Sequence, residues 1–259
     1  MDTSLSWIKA YVPELDVTAQ EYTDAMTLSG TKVEGFTKLD ADLDKIVVGQ
    51  IEKIEKHPDA DKLIICQVNV GTETVQIVTG APNVKEGDKV PVVLDGGRVA
   101  GGHEPGQRVE GGIKIKKGKL RGVDSYGMMC SIEELGSNRE MYPEAPEYGI
   151  YIFDDDAVVG ESAIKSLGLD DVVVEYEITS NRVDCFSVVG IAREAAATFN
   201  KAFYPPVVTP TGNDENAADY IKVTVKNPEL CPRYCARIVK NIKIGPSPKW
   251  MQRRLASVG

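Results

Sequence analysis

The chain is 259 residues long, 42% hydrophobic and 27% charged, with a formal net charge of −9, a size that accommodates one to three domains. Its longest apolar runs, residues 63–66 and 172–174, are too short to cross a membrane, and residues 1–7 lack the basic head and apolar stretch of a secretory signal. Five scattered cysteines (Cys66, Cys130, Cys185, Cys231, Cys235) fit reduced thiols in a cytoplasmic protein, and the acid excess argues against a general nucleic-acid binder.

In chain order, Trp7, Ile8, Tyr11 and Val12 fall at helical spacing, and Pro13 stops that helix. Thr18-Ala-Gln-Glu21 reads as a capping box, in which the Thr hydroxyl accepts from the backbone three residues on while Glu21 reaches back. Tyr22, Ala25, Met26 and Leu28 give the following helix an apolar face, and Gly30 is its natural stop. Residues 32–36 read as extended. From about Asp44 the texture changes to short β runs at 46–54, 63–70, 74–78 and 89–94, with turns at Gly71, Gly80 and Glu86-Gly87-Asp88. Residues 113–122 add one alternating strand whose polar face is almost wholly basic. Five or so strands in roughly a hundred residues, with no long helix between them, predict a small closed barrel such as an OB-fold.

Residues 172–178 alternate as a strand, and 187–200 read as a helix with Val188, Ile191, Ala195 and Phe199 on one face. Residues 204–216, rich in Pro and Gly, read as a linker. A second β pattern follows at 221–225 and 236–239, then a helix with Pro248 in its first turn, where the missing N–H costs nothing. A domain of about 45 residues is marginal, so the last segment reads as the opening of a larger one.

Charge is unevenly spread. Residues 140–178 hold eleven acids and the single base Lys165, whereas 108–121 hold six bases (Arg108, Lys114, Lys116, Lys117, Lys119, Arg121) against Glu110. This strip reads either as a face that tracks an RNA backbone or as a solvated strand, and the two readings stand level. No Phe, Tyr or Trp occurs between Asp44 and Val123, which favours backbone contact or a protein interface over base recognition. His57, between Lys56 and Asp59, invites a metal or catalytic role, but the only other histidine is His103. A turn started by Pro58-Asp59, with Asp61 bonding the backbone, is the simpler reading. Cys231-x-x-x-Cys235 lacks partner ligands and reads as part of a strand pair. Asn181, Arg182 and Asp184 read as caps and an internal ion pair, and Asp154-Asp155-Asp156 as a solvated turn. No Walker loop, dinucleotide fingerprint or nucleophile elbow is present.

Four motifs carry a family resemblance: Lys56-His-Pro-Asp-Ala-Asp-Lys-Leu63, Gly80-Ala-Pro-Asn83, Lys114-Ile-Lys-Lys-Gly-Lys-Leu-Arg-Gly-Val123 and Gly127-Met-Met-Cys-Ser131. In order and spacing they resemble the tRNA-binding OB module shared by bacterial phenylalanyl-tRNA synthetase beta subunits, methionyl-tRNA synthetase appendages and free-standing tRNA-binding proteins. The flanks select the beta subunits. Leu5-Ser-Trp-Ile-Lys-Ala-Tyr-Val12, Thr27–Glu34, Glu177–Glu194, Cys231-Pro-Arg-Tyr234 and Pro248-Lys-Trp-Met251 are all similar to segments of that family. Val183 stands where the family usually has Pro, and residues 98–112 form a longer, more Gly-rich loop than usual.

The resemblance implies an α+β chain in which an OB-fold barrel, residues 42–152, is inserted into a small α/β domain with halves 1–41 and 153–203. Residues 204–259 would be the truncated start of an α+β editing domain. It further implies a non-catalytic, N-terminal part of the phenylalanine–tRNA ligase beta subunit, serving tRNA binding and subunit assembly in ATP-dependent charging of tRNA with phenylalanine. The implied partners are phenylalanine-specific tRNA and the synthetase alpha subunit, in a cytoplasmic assembly of two alpha and two beta chains. No catalytic residue, metal ligand or cofactor is assigned to this chain; ATP and magnesium belong to the full enzyme, and the editing pocket lies past residue 259. The RNA-binding candidates are Lys56, Lys62, Lys114, Lys116, Lys117, Lys119 and Arg121. The alternative is a free-standing tRNA-binding or protein-scaffolding module, which would lack the segments before Asp44 and after Tyr151.

Overall fold

A computed structural model describes residues 1–102, 108–209 and 211–258; His103, Pro210 and part of the Gly-rich loop lie outside the described residues. The chain divides into two compact units, Met1–Tyr204 with Lys249–Gly259, and Pro205–Pro248. In chain order the first unit holds β1 (Asp2–Ser4), α1 (Leu5–Lys9), α2 (Ala19–Leu28), β2 (Val33–Lys38), β3 (Asp44–Lys56), β4 (Ile64–Asn69), β5 (Thr74–Thr79) and β6 (Lys89–Gly101). Then come β7 (Arg108–Lys114), β8 (Gly118–Leu120), β9 (Val123–Ser125), β10 (Gly127–Met129), α3 (Ala163–Leu167), β11 (Val172–Tyr176), α4 (Val188–Thr198) and α5 (Lys249–Ala256).

Both ends of the first unit build one small layer. Strands run antiparallel in the order β1-β11-β2, with Thr3 opposite Val174 and Val174 opposite Phe36. Helices α1, α2 and α4 bury Ile8, Tyr22, Met26, Ile191 and Ala195 in a cluster with Val174 and Tyr176 of the central strand. None of these helices exceeds 11 residues, too short to persist alone in water, so their shared apolar face holds them. The capping box forms as its sequence requires: Thr18 Oγ1 accepts from the Glu21 N–H at 3.2 Å, and Glu21 accepts from the Thr18 N–H at 2.8 Å. Tyr176 donates to the Tyr22 hydroxyl at 2.8 Å, so burial does not orphan either polar tip. Asp171 accepts from the Ser6 N–H at 3.0 Å and from the hydroxyls of Ser4 and Ser6, tying the start of the chain to the strand 165 residues later.

Between these ends lies an antiparallel sheet in the order β10-β6-β3-β4-β5, with β7 added to the far half of β6. Its interior is aliphatic: Ile51, Cys66, Val68, Ile77, Val90 and Val92 are buried together. The sheet curls until its two ends meet. The Tyr126 N–H donates to Gln76 O at 2.8 Å, and Ser125 Oγ accepts from the Val78 N–H at 3.1 Å, joining β5 to the β9–β10 corner. A second cluster, including Val93, Tyr142, Tyr151 and Leu167, fills the space under residues 130–169. That segment passes close to β3 and the β4–β5 turn, and Gly71 and Gly160 make the passage possible. Both have positive φ, and a Cβ on Gly71 would lie 2.6 Å from the Gly160 Cα.

The second unit departs from expectation. Strands predicted at 221–225 and 236–239 are absent; among the described residues of 205–248 only a short 3-10 turn, Ala217–Asp219, is regular. A strand needs a neighbour to satisfy its N–H and C=O groups, and none is offered here, so Ile221, Val223, Val225 and Val239 are exposed. The Cys231–Cys235 pairing in strands falls with them. The final segment also divides, since α5 groups with the first unit. There the Arg254 guanidinium lies 5.5 Å from the Trp7 ring and 5.7 Å from the Trp250 ring.

Candidate nucleic-acid interface

The basic strip is not one strand. Strand β7 ends at Lys114, opposite Arg98. Ile115 still pairs with β6, its N–H donating to Gly97 O at 2.9 Å and its C=O accepting from the Gly96 N–H at 2.8 Å; the chain leaves the sheet after it, where the Lys117 N–H donates to Asp95 Oδ1 at 2.7 Å. It re-forms as the separate β8–β9 hairpin, with Gly118 opposite Ser125, Lys119 opposite Asp124 and Leu120 opposite Val123. The two-residue turn is Arg121-Gly122, with φ of 46° and 88°. Positive φ at both central residues is the hairpin geometry that follows strand twist, and it carries Arg121 to the tip. The break falls where the alternation itself lapses, at the consecutive Lys116 and Lys117, and there the Lys117 N–H bonds a side chain instead of a neighbouring strand.

Lys56, Lys62, Lys114, Lys116, Lys117, Lys119 and Arg121 are all exposed. Lys119 Nζ lies 3.7 Å from Asp124 Oδ1, an exposed pair worth little energetically, which places both side chains on one face of the hairpin.

His57 connects two of these basic groups. It is only 6% exposed. Its Nδ1 accepts from the Asp59 N–H at 3.1 Å, so the ring proton sits on Nε2, which donates to Leu120 O at 3.1 Å. One imidazole therefore closes the loop carrying Lys56 and Lys62 and clips it to the hairpin carrying Lys119 and Arg121. The turn at residues 57–61 is present, but no bond from the Asp61 side chain closes it among the described residues; His57 does. No local pattern points to the partner, which lies 63 positions away.

The missing aromatic lies just past the window in which none occurs. Tyr126 is 46% exposed and follows β9 directly. Nearby, Gln76 Nε2 donates to Asp124 O at 2.8 Å and Gln67 Nε2 to Gln76 Oε1 at 3.1 Å, giving the outer face of β4–β5 an amide ladder beside the hairpin.

Other clusters resolve as structure. Arg182 contacts Asp184 at 2.9 Å, Glu194 at 3.0 Å and Cys185 Sγ at 2.9 Å. Asp184, Cys185 and Glu194 otherwise have the spacing to hold a metal ion, but the guanidinium already occupies their centre. Its hydrogen bonds hold the Asp184 carboxyl down to about 2. Burial pushes the Cys66 and Cys185 thiols up to about 11 and raises Cys130 as well, which suits inert structural thiols. Asp154 pairs with Lys249, and residues 155–156 form a turn.

Residues 46–161 match the family described as a "tRNA binding domain", which takes in the His57 loop, the basic hairpin and Tyr126. Over 261 aligned positions the chain is 46% identical to the phenylalanine–tRNA ligase beta subunit of Clostridium tetani, covering 100% of this chain and 31% of that one. Over its whole length the chain is similar to part of the phenylalanine–tRNA ligase beta subunits. The beta subunit of a Bacillus cereus strain is 43% identical, with 100% of this chain and 31% of that one aligned, so the chain spans about a third of the length of these relatives. Among solved structures, the C-terminal domain of Plasmodium vivax p43 aligns at 25% identity over 47% of this chain and 59% of that one, with a TM-score of 0.30. Among the described residues, no helix is long and apolar enough to cross a membrane.

Proposed function

We propose that this chain is the tRNA-binding, non-catalytic part of a phenylalanine–tRNA ligase beta subunit. The carrying observation is the clipped surface at His57, where two basic loops distant in sequence are fixed side by side inside the segment that matches a tRNA-binding family. The curled five-strand path with its added β7 is read as an OB-type barrel set into the small α/β layer, and residues 205–248 as the opening of an editing domain. Lys56, Lys62, Lys114, Lys116, Lys117, Lys119 and Arg121 would contact phosphates, and the alpha subunit would be the protein partner in an assembly of two alpha and two beta chains. ATP and magnesium would serve the whole ligase rather than this chain. The Asp184, Cys185 and Glu194 cluster does not fit a magnesium ion, because a fixed guanidinium charge stands where the ion would sit.

Titrating the 259-residue chain with a phenylalanine tRNA transcript at graded salt concentrations tests the reading. Each phosphate contact contributes about 0.7–0.9 to the slope of log affinity against log salt, so K116E/K117E/K119E should flatten the slope by about 2–3. It should weaken binding to all tRNAs alike, since phosphate contacts carry no sequence information. Binding that ignores salt, or survives the triple reversal, refutes the proposal.

A further inference from the structure

We infer that Tyr126 is a base-stacking residue: it holds an unpaired nucleobase of an RNA against its ring while Lys117 and Lys119 face the neighbouring phosphates. The inference rests on the tRNA-binding reading above and adds a kind of contact that the cations cannot supply.

Three observations carry it. The first is the ring's exposure. Tyr142, Tyr151 and Phe153, the other aromatics that pack in this region, are buried against one another with edge-to-face contacts of 5.3–5.9 Å. Tyr126 remains 46% exposed and makes no ring–ring or cation–ring contact among the described residues.

The second is its fixed backbone. The Tyr126 N–H is held by Gln76 O at 2.8 Å. The preceding Ser125 is buried and bonds both the Val78 N–H and Gly127 O, each at 3.1 Å. The following Gly127 passes so close to β6 that a Cβ there would lie 2.6 Å from Val93 O. A ring mounted on backbone held from both sides loses little freedom when a base lands on it.

The third is its neighbours. The Lys119–Asp124 contact sets one face of the hairpin. By two-residue alternation Tyr126 continues on the face of Asp124, and Lys117 on the face of Lys119. The Gly118–Ser125 pairing, extended by one residue, sets Lys117 opposite Tyr126. An aromatic ring with cations beside it is the combination that binds single-stranded RNA: every base has a π-face, and the adjacent phosphates need positive charge. Tyr148 supplies the contrast. It is 82% exposed, yet it follows Glu144 and Glu147, whose charge repels a phosphate chain.

The test measures fluorescence anisotropy of the whole chain with two labelled probes: an oligoadenylate of about eight nucleotides, within the range of sites on OB-type modules, and an abasic ribose-phosphate chain of equal length. Stacking on an aromatic side chain accounts for about 5- to 150-fold in affinity per base by alanine substitution. Y126A should lose that factor on oligoadenylate and nothing on the abasic chain. Y126F, which keeps the ring, should bind both as the wild type does, and Y148A should leave both unchanged. Equal loss on both probes would assign Tyr126 a structural role and overturn the inference. So would unchanged binding by Y126A while K116E/K117E/K119E weakens it, and that result would leave the tRNA-binding reading standing. Failure of the wild type to bind oligoadenylate also overturns the inference; the tRNA salt titration then judges the underlying reading separately.

Discussion

Replacing His57 by alanine would remove both ends of the clip between the loop at residues 57–61 and the β8–β9 hairpin. Two neutral hydrogen bonds, of 3.1 Å each, are lost. Their backbone partners can rehydrate, since Asp59 is exposed and Leu120 is 40% exposed. The cost should therefore follow the net value of a hydrogen bond, about 0.5–1.5 kcal/mol each, without a further desolvation penalty. H57A should destabilise the chain by about 1–3 kcal/mol, a fall in melting temperature of roughly 2–12 °C for a chain this size. The two ends separate by substitution. Asn can offer an acceptor in place of Nδ1, and Gln a donor in place of Nε2, so H57N and H57Q should each recover part of the loss. Hydrogen exchange reads the clip itself: H57A should raise exchange in residues 57–63 and 119–122 together, while H57Q should protect the hairpin more than H57N does. In the tRNA titration H57A should flatten the salt slope, because Lys56 and Lys62 no longer sit fixed beside Lys119 and Arg121. If exchange rises only in the 57–63 loop, or the melting temperature is unmoved, the imidazole does not couple the two loops and the reasoning fails.

Two further predictions concern the first turn of α4 and the residues ahead of it. A Cβ on Gly190 would lie 1.8 Å from Asp184 O, so G190A forces backbone apart. The helix-propensity gain of about 1 kcal/mol over Gly cannot offset overpacking of about 3 kcal/mol or more. A net loss of about 2 kcal/mol and a melting temperature roughly 4–8 °C lower are expected; an unchanged or raised melting temperature would contradict the packing. Asp184 is held down to about 2 from 3.8 by the Arg182 hydrogen bonds. A carboxyl depressed in the folded state adds stability that is in place above its unfolded pKa and is lost as pH falls through the folded one. Wild type should therefore lose stability relative to D184N between about pH 4 and pH 2, and parallel acid titrations of the two proteins would show that the pair contributes nothing.

Local signals in the sequence read correctly where short-range chemistry decides the outcome. The Thr18–Glu21 capping box, the helix opened by Ser187 and the β runs from Asp44 onward depend on propensity, caps and alternation within a few residues. The Arg182–Asp184 ion pair is legible for the same reason, its partners being two positions apart. Helix α3 escapes a reading of the sequence because five residues show too little periodicity. The expected strands at 221–225 and 236–239 do not form, since alternation marks a face fit for a sheet but cannot supply the neighbouring strand. For the candidate interface, the sequence names the seven cations, and their exposure follows from their charge.

What tertiary structure alone decided is how those cations are arranged. The basic strip breaks after Ile115, where the Lys117 N–H turns to the Asp95 side chain, an acceptor 22 residues away, instead of a strand carbonyl. His57 joins two loops because its second nitrogen meets a carbonyl 63 residues away. Tyr126 is held at the end of the hairpin because the backbone bond to Gln76 closes the sheet there, 50 residues away in sequence. Composition and motif fix which groups exist and which local turns they favour. Their convergence on one surface depends on contacts distant in sequence, made only once the chain has closed on its core.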